Sequence, residues 1–106
     1  MSPSVKHRLP AGLAAELEQK YFWWEPVGEE PRSDLRILMQ AMNFAPYAEI
    51  QRLETTLGQN FLAEAMLGAE PGWLDERSWE FWRGRLSTAT GKAIPETPPR
   101  RSFLND

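Results

Sequence analysis

Residues 33–68 read SDLRILMQAMNFAPYAEIQRLETTLGQNFLAEAMLG, and this stretch decides the fold. Ser33 is a helix N-cap by type, since its hydroxyl can accept an orphan amide of the first turn. Asp34 behind it suits the positive end of the helix dipole. Leu35, Leu38, Met39 and Met42 then recur at helical spacing to about Asn43. Pro46 falls in the first turn of the next helix, where its missing N–H costs nothing. Ile50, Leu53 and Leu57 line one face of that helix, and Glu49, Arg52 and Glu54 fall outside it. Gly58 is expected to stop it in the left-handed conformation common just past helix ends. Gln59 to Leu67 repeats the device in short form, with Phe61, Leu62, Ala65 and Met66 inward and Gly68 as terminator.

Working outward, residues 1–12 read as a polar arm closed by Pro10 and Gly12, and good helix formers run from Leu13 to about Lys20. Four rings follow in a row, Tyr21-Phe22-Trp23-Trp24, which fit neither a helical nor an alternating period. Residues 25–32, with two prolines and a glycine, are a loop. On the other side, residues 69–74 turn around Pro71-Gly72 and carry Trp73 and Leu74 as anchors. Asp75 or Ser78 caps a last helix on which Trp79, Trp82 and Leu86 share one stripe. Phe81 with Arg85 lies about a hundred degrees away from that stripe. From Gly91 the chain holds three prolines within five residues, Pro95, Pro98 and Pro99, so an extended tail with polyproline II bias is expected.

Valine occurs only at positions 5 and 27 and isoleucine at 37, 50 and 94, so no β-branched run alternates as a strand would. The prediction is all-α: a compact bundle of four to five short helices with an extended Pro-rich C-terminal tail. The expected divisions are an arm (1–12), one helical domain (13–90) and the tail (91–106).

A chain of 106 residues suits one core. Without cysteine it has no disulfide, no thiolate nucleophile and no sulfur-bound metal. No apolar run of about 18 residues exists to span a membrane, and no targeting segment is expected, so the reading is a cytoplasmic protein. One histidine, His7, and scattered carboxylates build no metal set. There is no glycine-rich phosphate loop and no nucleophile elbow. No catalytic residue, cofactor or metal is therefore expected.

Nucleic acid is the competing reading. The helix pair at 46–67 resembles a helix-turn-helix in outline, which would make a small DNA-binding transcriptional regulator. Charge argues against it. Between Arg52 and Arg77 there is no Lys or Arg, while Glu54, Glu64, Glu70, Asp75 and Glu76 are present. Such a surface releases no counterions from phosphates.

The positive charge lies further on. Residues 75–106 balance at +1 and residues 1–74 at −4, which together make the chain's −3. Five Trp, five Phe and two Tyr give more ring surface than one small core readily absorbs. Trp, Tyr and Arg dominate interface hot spots. The expected partner-binding residues are Phe81, Arg83 and Arg85 on the last helix, Trp23 or Trp24, and the tail residues Arg100, Arg101, Phe103 and Leu104. That basic tail could meet an acidic groove, with Phe103-Leu104 as an apolar plug.

Four pieces in order carry a resemblance. They are Tyr21-Phe22-Trp23-Trp24-Glu25, Ile37-Leu38-Met39 through Asn43-Phe44, Glu49-Ile50-Gln51-Arg52-Leu53 with Leu57-Gly58, and Arg77-Ser78-Trp79-Glu80-Phe81-Trp82 before Arg85-Leu86. Over roughly residues 21–87 the chain resembles small helical bacterial proteins encoded beside AbiEii-type nucleotidyltransferase toxins and regarded as their antitoxins. The resemblance implies a non-enzymatic protein that binds and neutralises such a toxin. Exposed rings would also allow a homodimer when the partner is absent.

Overall fold

The computed structural model describes residues 8–22 and 32–99. Five helices carry them: α1 (Ala11–Tyr21), α2 (Asp34–Phe44), α3 (Tyr47–Leu57), α4 (Gln59–Leu67) and α5 (Glu76–Thr90). No strand occurs among the described residues, so the fold is all-α as the patterning predicts. None of these helices is long and apolar enough to cross a membrane.

The caps explain the boundaries. Ser33 Oγ accepts the Arg36 amide at 3.1 Å, and Asp75 Oδ1 accepts the Ser78 amide at 2.8 Å, which settles the cap of α5 on Asp75. Pro46 stands one place before α3 instead of inside its first turn, and its carbonyl takes the amides of Glu49 and Ile50. Gly58 serves both as the C-cap of α3 and as the N-cap of α4. Its backbone (φ 90°, ψ 146°) is extended on the positive-φ side, not left-handed helical as expected. Only glycine takes that conformation without strain. Gly91 (φ 76°, ψ 4°) is the left-handed cap, ending α5 with its amide on the Ser87 carbonyl at 2.8 Å.

Helix α2 sits at the centre, against α1, α4 and α5. Six consecutive residues, Ile37 to Met42, are buried, whereas Leu35 is only partly so. The expected single stripe therefore understates α2: a helix contacted from several sides buries its whole circumference. Gln40 is satisfied within this core. Its amide donates to the Tyr21 carbonyl at 3.2 Å and its oxygen accepts from Arg36 at 3.3 Å.

Helix α5 closes the bundle with Trp79, Trp82 and Leu86 all buried. Each indole N–H has an acceptor: Trp82 donates to the Met42 carbonyl at 2.9 Å and Trp79 to the Pro95 carbonyl at 2.8 Å. Through that second bond the chain beyond α5 lies back along the bundle. Ile94 is buried, and Lys92 Nζ is 3.4 Å from a Glu64 carboxylate oxygen. The arm is likewise engaged near its end. Leu9 is buried, its amide donates to Asp34 Oδ2 at 2.7 Å, and α1 starts at Ala11, two residues before the expected helix. The rest of the expected arm and tail, residues 1–7 and 100–106, lies outside the described residues.

Candidate interaction surface

Helix α5 turns its tryptophans inward, which sends Phe81 outward. Phe81, about 200° round the helix from Trp79, is 42% exposed and meets Trp82 edge to face, with ring centres 5.6 Å apart. Beside it α2 ends and α3 begins. Those ends leave Phe44 and Tyr47 more than half exposed.

Arg85 joins two of these rings. Its guanidinium lies 5.5 Å from the Tyr47 ring centre and 5.9 Å from that of Phe81. It also grips Glu54 with two nitrogens, Nη2 being 2.8 Å from Oε1. That fork holds the Glu54 carboxyl below its ordinary range, the guanidinium being the main cause, and raises Arg85 in turn. Arg85 therefore braces the patch and is not an idle charge awaiting a partner. Arg77 is different: it is exposed and has no ion-pair partner among the described residues.

Between Phe81 and the α2–α3 corner lies an open cavity of about 210 Å³, lined by Met42, Asn43, Ala45, Ile50, Arg77, Ser78, Phe81 and Trp82. Its polar walls are largely committed. Asn43 Oδ1 accepts the Asp75 amide at 3.1 Å, and Ser78 Oγ donates to the Asn43 carbonyl at 3.1 Å.

Of the residues singled out from the sequence, Phe81 and Arg85 share this face. Arg83 does not: two residues from Phe81, it points to the opposite flank of α5, half-buried, with its Nε enclosed and without a hydrogen-bond partner. Trp23, Trp24, Arg100, Arg101, Phe103 and Leu104 lie outside the described residues. Sequence reasoning missed Phe44, Tyr47 and Arg77. Phe44 carried a usable signal, standing about 200° from Met42 and so off the buried stripe. Tyr47 carried none, because it falls three residues before Ile50 and reads as inward. Gly84 was missed as well. It is an exposed mid-helix glycine one turn after Phe81, with negative φ and open space where a Cβ would stand, so the fold makes no use of it.

Another cluster ties α1 to α3. Glu49, expected outside the apolar face, is buried and accepts from Lys20 at 2.8 Å and Arg52 at 2.9 Å. The reason is α1, whose Lys20 and Glu16 meet α3 here; Arg52 also donates to both oxygens of Glu16. Arg52 and then Lys20 hold the Glu16 carboxyl down to about 2, and Glu49 is lowered chiefly by Lys20. The one basic residue of α3 is thus engaged by two carboxylates. Comparison with protein-family models, curated proteins and solved structures gives no match to the chain.

Proposed function

We propose that the protein is a non-enzymatic interaction module of the cytoplasm, an antitoxin that binds and neutralises a nucleotidyltransferase-like toxin through the face formed by Phe44, Tyr47 and Phe81. One observation carries the reading: Phe44, Tyr47 and Phe81 stand exposed, the last two on either side of an arginine braced in place by Glu54, while folding is already served by the buried tryptophans. Rings held on helices beside an arginine have the composition of binding hot spots. The choice of partner class rests on the sequence resemblance. A protein of this size would act by covering the toxin's nucleotide cleft or RNA-binding surface. The helix pair α3–α4 is poorly suited to nucleic acid, because Arg52 is tied to Glu16 and Glu49 and α4 contributes Glu64.

Co-expression with the toxin tests this. The wild-type chain should restore growth and co-purify with the toxin, and the Tyr47→Ala/Phe81→Ala variant should do neither while keeping its helical circular dichroism. Full rescue by that variant overturns the assignment of the face. Salt-sensitive binding to DNA upstream of the gene, lost with Arg52→Glu, would favour the regulator instead.

A further inference from the structure

The cavity beside Phe81 has a definite size and a definite charge. At about 210 Å³ it falls below the roughly 300–1,000 Å³ of small-molecule sites, yet it has room for one large side chain. Its lining is mainly apolar, from Met42, Ala45, Ile50, Phe81 and Trp82. Asn43 Oδ1 and the Ser78 hydroxyl are already bonded to the protein, which leaves Arg77 as the unpaired charge of the lining. An apolar side chain entering this cavity would cover mainly apolar walls and leave the bonded Asn43 Oδ1 and Ser78 hydroxyl with their partners. A carboxylate beside that side chain would find a guanidinium that forms no ion pair within 4 Å among the described residues.

We infer that this cavity receives a single bulky aliphatic or aromatic side chain of the protein partner, on a segment that places a carboxylate against Arg77. The inference rests on the reading of this face as the partner contact and supplies the chemistry of the partner's anchor. Gly84 lies outside the cavity lining, exposed on the same helix. One turn along α5 from Phe81, it lets the main chain of an approaching segment come closer to the helix than any other residue would allow.

The test uses the intact chain, labelled with nitrogen-15 and titrated with 4-phenylbutyrate, its neutral amide and the corresponding amine. The amides of Asn43, Ile50, Ser78 and Phe81 should shift. The carboxylate should bind more tightly than the neutral amide by roughly two- to fivefold, the range a half-exposed ion pair supplies. Arg77→Gln should erase that preference and leave binding of the neutral probe unchanged. Ala45→Leu should weaken all three probes by filling the cavity. The inference is overturned if the amine binds as well as the carboxylate, if the shifts map elsewhere, or if Arg77→Gln keeps the preference. It is also overturned if a chain lacking residues 100–106 binds the probes markedly better, since the natural occupant would then be the chain's own Phe103-Leu104. Toxin rescue is read separately. Carboxylate preference with rescue unaffected by Tyr47→Ala/Phe81→Ala leaves this inference standing and removes the antitoxin face; the reverse pattern does the opposite.

Discussion

The indole N–H of Trp82 donates to the main-chain carbonyl of Met42 at 2.9 Å, locking the middle of α5 onto the last turn of α2. Met42 lies two residues before the helix end that bears Phe44, so the bond that completes the core also fixes the exposed ring patch. Trp82 is wholly buried, and Trp82→Ala should cost about 3–5 kcal/mol, the range for emptying a large aromatic core site. Trp82→Phe should cost less, losing the hydrogen bond and part of the volume. Urea unfolding followed by circular dichroism measures both.

Acid should weaken the fold through its interhelical carboxylates. Glu16, Glu49 and Glu54 are all held below their ordinary value of 4.5 by the arginines and lysine that grip them, Glu16 down to about 2. Their contribution is present in full above pH 4.5 and is lost as pH falls through the folded-state values, because the unfolded chain binds protons first. Melting temperature should therefore drop between about pH 4.5 and 2. Arg52→Ala, which releases Glu16 and loosens Glu49, should make that dependence shallower. Thermal melts at half-unit pH steps decide it.

Gly84→Ala separates folding from binding at one atom. The site is exposed with open space around it, so the added methyl should stabilise the helix by about 0.5–1 kcal/mol. If a partner's backbone packs there, affinity should fall even as the melting temperature rises. A variant more stable with affinity unchanged would free Gly84 from the contact.

Removing residues 92–106 should destabilise the domain. It exposes the site of Ile94 and takes the Pro95 carbonyl from the Trp79 indole. A buried donor left without an acceptor costs about 1–3 kcal/mol. Equal stability of the shortened chain in urea would show that the Trp79 bond is replaced by water.

The core stripe of α5 was legible because period alone specifies it: Trp79, Trp82 and Leu86 repeat at three and four, and all are buried. The same arithmetic turned Phe81 outward. Helix α2 was only half legible. A stripe can be read from spacing, but burial all round depends on how many neighbours arrive, and the clue was six successive uncharged residues from Ile37 to Met42. Glu49 was misread for a related reason. A lone carboxylate looks solvent-facing until Lys20, twenty-nine residues away, is brought to it by the packing of α1. The cavity was not legible at all, since its walls come from α2, the corner after it, α3 and α5, and a gap has no sequence pattern.

The Trp79–Pro95 bond also decides where attachments belong. Past α5 the backbone runs beside Met66, Leu67 and Trp79 as far as Pro99, on the flank of the helix away from Phe81. A dye, affinity handle or surface tether joined beyond that point starts from an anchored stem and leaves the aromatic side facing the solution. Immobilisation at Pro99 is thus the orientation in which captured molecules would present their rings to whatever flows past.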